Sequence, residues 1–420
     1  MAEKRFASEN FPPEIQAMAD GMNLDENAVP AWTIPPVASR NAGEFLNRER
    51  PELLRKFAKY IYGVIPPKCA QFDVDVVAED KNAFGGLATR REIVLRCAQN
   101  GLARYLNMLL YYPNDGKPKH PVFFGLNFKG NHACTFDEQV RFILPHRYPK
   151  LNDSPRYADE RADFSQRGLQ DDRWCFEKVL KRGYAVATIS YWDIYPDHPY
   201  GFEDSVLRLF FDETVWNSPQ RPTAAISAWA WGVQRAIDAL ELQPEIDATR
   251  IAVHGHSRLG KTALWAGAND TRIALTISCC SGTCGAKLSH RYYGEDFNWI
   301  NLWNPHWVVP GFLPYIGHDS EIPVDQHQLI GCIAPRLAYI TSATEDCYAD
   351  PKGEFLAGVA ASDYYRLFGK EGIGTTEMPA PKVPLHGDIG YYLRVGEHSI
   401  TPENWDAILD FADKRLLPLH

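Results

Sequence analysis

Along the first third of the chain, apolar and polar positions alternate with a period of two. FDVDVVA (72–78) and REIVLRC (91–97) send every second side chain to one face, which predicts half-buried strands. ARYLNMLLYYP (103–113) reads as a further strand. PVFFGLNF (121–128) and YAVATISY (184–191) are short unbroken apolar runs, the pattern of strands covered on both faces. From residue 224 the period changes. AAISAWAWGVQRAIDALE (224–241) repeats its apolar positions at helical spacing. Strands and helices then alternate: strand 250–254, helix 258–269, strand 273–279, helix 324–333, strand 336–343, helix 353–368, strand 389–397. A closing helix over 401–416 has Thr401 as its N-cap and Pro402 in its first turn. Repeated βα units predict an α/β fold, a mostly parallel central sheet flanked by helices.

Three stretches break the pattern. Residues 1–50 are polar and punctuated by proline, and are expected to wrap the surface; a helix over 49–63 follows, with Pro51 near its start. The expected organisation is an N-terminal extension (1–60) packed on one catalytic domain (61–420). Residues 129–182 and 286–322 read as insertions over the active site, the second rich in Trp and Tyr.

Composition narrows the function. The 420 residues carry a formal net charge of −9 and no basic stripe, which argues against nucleic-acid binding. The nine cysteines are odd in number and irregular in spacing. Cys280-x3-Cys284 lacks a second pair, so buried reduced thiols are expected rather than zinc. His254-x-His256 shows no third ligand in the sequence. No metal and no cofactor are therefore expected. No run reaches the roughly 18 apolar residues of a membrane span. The N-terminus has no apolar signal core, so the chain as given is expected to be cytoplasmic, or secreted after removal of a signal. A monomer is expected, with no nucleic-acid or membrane partner.

The candidate chemistry lies in IAVHGHSRLGKTALWAG (251–267). A strand runs into a glycine, a serine stands two residues on, and a helix follows. That is the outline of a nucleophile elbow, in which a sharp turn lifts the serine above the sheet. The second glycine, Gly260, comes one residue later than in G-x-S-x-G. Ser257 as a plain N-cap is the competing reading. A nucleophilic serine needs a base and an orienting acid, in the order Ser, acid, His. His398 follows the last strand and precedes a capped helix, the place expected of the base. His386 stands before a strand and His327 inside a helix. Glu345, Asp346 and Asp350 follow an earlier strand. Asp350, before Pro351, suits a helix cap, which leaves Asp346 as the acid and Glu345 as its fallback. The N–H of Arg258 is a candidate oxyanion donor, with a second from around Asn127 to Gly130. Lys261, one helical turn below Ser257, shares its face.

GHSRLGKTALWAG, SCCSGTCGAKLSHRYYGE, EDCYADPKGEF and VGEHSITPENW resemble the bacterial branch of carbohydrate esterase family 15, the glucuronoyl esterases. GLNFKGN and RGYAVATISYWDIYPD fit the same family, and the likeness runs from about residue 100 to the C-terminus. It accounts for the late glycine and the arginine, since G-x-S-R-x-G is that family's elbow. The resemblance implies an α/β-hydrolase fold and cofactor-free serine hydrolysis of esters joining 4-O-methyl-glucuronic acid on glucuronoxylan to lignin alcohols. It implies Ser257 as nucleophile, Arg258 at the oxyanion and His398 as base. Lys261 and Glu295 would hold uronate hydroxyls, and Arg291 would support the site. The sequence departs from the family at three places. Cys280 stands where many members have the acid, which moves that role to Asp346. Tyr348 replaces a tryptophan as aromatic wall, and His290-Arg291 replaces a pair of arginines. An acetyl-xylan or small-ester esterase on this scaffold, and a catalytically weak carbohydrate-binding homologue, are the alternatives.

Overall fold

In the computed structural model, which describes residues 17, 19–143 and 164–417, the period-two segments form a long antiparallel meander. β1 (Gln71–Ala83), β2 (Ala88–Gln99) and β3 (Leu102–Pro113) pair in that order. β1 is the edge; Phe72 and Val74 are half-buried between exposed neighbours, and Val76 and Val77 are exposed. β4 (His120–Asn127) is buried at all eight positions, as its unbroken apolar run predicts. β5 (Ala185–Ser190) pairs parallel with β4 and antiparallel with β3. The closing helix, Pro402–Leu416, carries a capping box at Thr401 and Asn404. It rests Trp405 edge-on against Phe123 of β4, and its Asp410 and Asp413 hold Arg182. With helix α1 (Ala225–Leu240) and most of β6 (Ile246–His256), these elements make one compact unit: residues 65–143, 164–217, 228–253 and 401–417.

The second unit takes in residues 254–400, 218–227 and the described residues up to 64. Its strands are β7 (Ile273–Cys279), β8 (Leu337–Ala343), β9 (Leu385–His386) and β10 (Ile389–Arg394). β8 lies between β7 and β10 and is parallel to both; β9 adds a short antiparallel edge on β10. Helix α2 (Arg258–Asn269) is buried at ten positions and packs on β7. Its Gly267 admits Thr276 of β7, since a Cβ there would lie 2.2 Å from the threonine hydroxyl. α3 (Gln326–Gly331) opens on an Asp325/Gln328 capping box and packs on α4 (Pro351–Arg366). α3 is shorter than the expected 324–333 because Asp325, at that stretch's second position, caps it from outside.

The polar N-terminal stretch does more than wrap the surface. Residues 42–62 are helical almost throughout, Phe45 is buried, and buried Glu49 accepts the N–H groups of Ala38 and Ser39 at 3.0 and 2.7 Å. Residues 1–16 and 18 of the expected extension lie outside the described residues. In the expected insertion 129–182, residues 144–163 also lie outside them. The rest holds the helices Asp171–Trp174 and Phe176–Lys181, the latter packed on β3 and β5. The insertion 286–322 holds the helix Phe297–Trp303. Among the described residues no helix is long and apolar enough to cross a membrane.

Candidate active site

β6 ends at His256, and the chain turns sharply at Ser257, with φ 58° and ψ −126°. A side chain in that region costs about 1–3 kcal/mol, which surrounding structure must hold in place. Here the Ser257 N–H donates to Cys279 O at 2.9 Å, tying the turn to the end of β7. Ser257 makes no side-chain cap bond to α2, so the plain N-cap reading is not realised. Gly255 is obligatory, since a Cβ there would meet Leu259 O at 2.0 Å. Gly260 faces the loop after β7; a Cβ would lie 2.9 Å from that of Ser281 and 3.1 Å from Gly255 O. The late glycine thus lets the helix, the elbow and this loop meet closely.

The first turn of α2 carries two cations. Arg258 is half-buried, its guanidinium 5.1 Å from the ring centre of Trp307. The first N–H groups of a helix lack intrahelical acceptors, which suits that of Arg258 to an oxyanion. Lys261 is buried, with its ammonium 5.9 Å from the same ring and donating to Ser281 O. A buried lysine is rare unless paired, and here a carbonyl and an aromatic face receive it. Trp307 is the aromatic element that sequence reasoning missed. It lies in the Trp-rich stretch noted above, but nothing in its local pattern sets it apart.

His398, on the loop after β10, bonds through Nδ1 to Asp346 Oδ2 at 2.6 Å. Asp346, on the loop after β8, is fully buried, and the imidazole is mostly so. An ionised Asp346 places the proton on Nδ1 and turns Nε2 into the accepting nitrogen. Glu345, the fallback, is exposed and does not share in this bond. Asp350 caps α4 through Gly353 N–H at 2.9 Å. It also binds Arg291 Nη1 at 2.6 Å, and Glu26 holds the other end of that guanidinium. Arg291 is therefore committed to clamping the Asp350 loop rather than presented to a substrate. Glu295 and Tyr348 come together, because the Glu295 N–H donates to Tyr348 O at 2.8 Å.

The loop after β7 lacks the acid. Cys280 is buried with φ 47°, and its N–H donates to Thr341 O at 2.8 Å. Burial, followed by the charges of Asp346 and Glu354, pushes its thiol well above the usual range, so it stays protonated. A neutral thiol cannot stabilise an imidazolium. Glu354, from α4, was not singled out from the sequence because it reads as an ordinary helix residue. It is fully buried beneath this loop, where it accepts the N–H groups of Ser281 and Gly282 at 2.7 and 3.0 Å and the hydroxyl of Ser342 at 2.6 Å. His256 was likewise absent from the expected site, yet its ring lies 4.4 Å from that of His398. His254, two residues before it on the same strand, is buried as well. Burial pushes His254 down to about 3. Within the expected Asn127–Gly130 stretch, the Gly130 N–H donates to Asn127 Oδ1 at 2.7 Å, and the Asn127 amide donates to Asn131 and Thr188.

Comparison with known proteins places this arrangement. A family model for fungal glucuronyl esterases matches residues 207–369. A carbohydrate esterase, MZ0003, from an unknown prokaryotic organism is 38% identical over 414 residues, which is 96% of this chain and 94% of that protein. A glucuronoyl esterase structure from Solibacter usitatus matches with a TM-score of 0.85 at 36% identity, over 92% of this chain and 99% of the other. A promiscuous family 15 esterase from a marine bacterial metagenome matches with a TM-score of 0.84 at 37% identity, over 94% and 99%. The α/β-hydrolase fold, the G-x-S-R-x-G elbow and a likeness that runs the length of the chain have one reading: this chain belongs to carbohydrate esterase family 15, the glucuronoyl esterases.

Proposed function

We propose that the chain hydrolyses esters of (4-O-methyl-)glucuronic acid, as in links between glucuronoxylan and lignin alcohols. Ser257, His398 and Asp346 carry the reaction. The observation behind this reading is the 2.6 Å bond between His398 Nδ1 and buried Asp346. It holds a base in the correct tautomer, in the same unit as a strained, uncapped serine.

Ser257 Oγ attacks the ester carbonyl carbon while His398 Nε2 takes its proton. Asp346 stabilises the imidazolium that forms. Charge on the former carbonyl oxygen meets the Arg258 N–H and guanidinium. The C–O bond to the alcohol breaks, and His398 returns the proton to the leaving oxygen. Water, deprotonated by the same nitrogen, then cleaves the acyl-enzyme and restores Ser257. Lys261, Glu295 and the ring of Tyr348 grip the uronate, with Trp307 walling the two cations. A buried ammonium suits an acyl group that carries hydroxyls, and acetate has none to offer it.

The test compares initial rates on benzyl glucuronate and p-nitrophenyl acetate. Ser257→Ala and His398→Ala should each lower kcat by about 10³-fold or more on both esters without unfolding the chain. Lys261→Ala should raise KM for the glucuronate and leave the acetate nearly unchanged. Preferential cleavage of the acetate by the wild type would sink the substrate assignment but keep the triad. Residual turnover near wild type in the serine variant would remove the triad itself.

A further inference from the structure

Beside the catalytic base His398 lie two potential metal ligands, His256 and Cys280, that hydrolysis does not use. His256, Cys280 and His398 each offer one metal-ligating atom, and these atoms all lie within 4.8 Å of one another. They come from three separate places, the end of β6, the loop after β7 and the loop after β10, so no spacing in the sequence announces them. We propose that His256, Cys280 and His398 bind a thiophilic divalent cation of the zinc class, and that its binding switches ester hydrolysis off.

The chemistry of the donors selects the cation. One thiolate and two imidazoles are borderline-soft ligands, suited to zinc and poorly matched to magnesium or calcium. Zinc takes its sulfur at about 2.3 Å and its nitrogens at about 2.0–2.1 Å, which puts tetrahedral ligand pairs about 3.5 Å apart. The three atoms need draw together by no more than roughly an ångström, a change within reach of side-chain rotation. Three protein ligands leave a fourth position for water or substrate.

Two features prepare the site. Asp346 holds His398 by Nδ1, so the ligating nitrogen is Nε2. A carboxylate behind a ligating histidine is the usual outer support of a zinc ligand, fixing its ring and raising its basicity. The backbone of Cys280, in a left-handed turn and bonded to Thr341, fixes the origin of the thiol. On binding, the Cys280 proton passes to solvent and the S–metal bond replaces the S–H bond. A metal on Nε2 occupies the lone pair that would take the proton of Ser257. The inhibitory consequence rests on the proposed role of His398; the binding itself does not.

Cobalt(II) titration of the full chain tests binding without any turnover. The wild type should show a thiolate-to-cobalt charge-transfer band that saturates at one equivalent and is displaced by zinc. Cys280→Ala should lose the band, and His256→Ala should weaken binding while keeping the cysteine. Asp346→Asn should lower affinity by about 10- to 100-fold, as for other outer-shell partners. In parallel, zinc should inhibit the wild-type esterase reversibly to chelator, and Cys280→Ala should keep kcat within a few-fold of the wild type but resist zinc by at least about 10-fold. No band in the wild type, or an undiminished band in Cys280→Ala, overturns the site. Equal zinc inhibition in wild type and Cys280→Ala overturns the switch. Because the cobalt band reads no catalysis, it decides the site even if the substrate assignment fails.

Discussion

The loops after β7 and β8 leave adjacent parallel strands and both approach His398, yet they do opposite work. The β8 loop delivers a buried carboxylate, Asp346, directly to Nδ1. The β7 loop delivers a thiol, Cys280, and is itself held from below by Glu354 through two backbone N–H groups. A carboxylate at position 280 would crowd a third carboxyl group into space already shared by Asp346 and Glu354. The thiol avoids that repulsion, which in a buried site would push at least one carboxyl to its neutral form. The contrast teaches that the orienting acid is a place near Nδ1 rather than a fixed strand. Whichever loop reaches that place with a carboxylate frees the other for different chemistry.

The sharpest way to break this comparison is to exchange the two loops' contributions. Asp346→Asn keeps the shape but can present an amide N–H to His398 and favour the wrong tautomer. The expected loss is about 10³- to 10⁴-fold in kcat. Cys280→Ala removes a thiol that carries no charge, and should leave kcat within a few-fold. Initial rates on benzyl glucuronate for both variants decide the matter. If Cys280→Ala were the crippled one, the β7 loop would still hold the acid's function.

A smaller effect, on stability, probes Glu354. Burial, with a further push from the charge of Asp346, lifts its carboxyl to about 8 against an ordinary 4.5, and this outweighs the Ser342 and Gly282 bonds that pull it down. The sign follows from proton counting. Below about pH 4.5 the group is protonated folded and unfolded alike. Between about 4.5 and 8 the unfolded chain loses the proton and the folded chain keeps it, so stability falls as pH rises through that window. Above it the contribution is flat. Glu354→Gln should remove this slope from a plot of urea midpoint against pH. A variant whose slope matched the wild type would show that Glu354 is ionised in the fold, with its N–H donors outweighing burial.

The sequence showed what local chemistry dictates. The strands and the α2 helix follow from periodicity, the cap at Asp350 from its place before proline, and the Asp346–His398 pairing from strand ends in the right order. What it hid depends on distant packing. Glu354 is one polar position in a helix until the fold buries it under residues 281 and 282. Trp307 is one of several tryptophans until it covers Arg258 and Lys261. Arg291 was expected to support the substrate site, and the sequence does not reveal that Glu26, some 265 positions away, would share it with Asp350. The closeness of Cys280 and His398 to His256 was invisible for the same reason.

The smallest expected effect separates neighbours within one loop. Glu345 and Asp346 are consecutive carboxylates after β8, and either would satisfy a rule based on order along the chain. The fold distinguishes them: the Glu345 N–H is bound to Gly396 O at 2.9 Å and its side chain is exposed, while Asp346 is buried against the imidazole. Exposed carboxylates without a specific partner contribute within about 0.5 kcal/mol. Glu345→Gln should therefore leave kcat on benzyl glucuronate within roughly twofold and the urea midpoint nearly unmoved. The double variant with Asp346→Asn should be no slower than Asp346→Asn alone. If the double variant instead fell a further tenfold, Glu345 would be relieving the loss of Asp346 by reaching His398 in its place, and the acid would belong to the loop rather than to one residue.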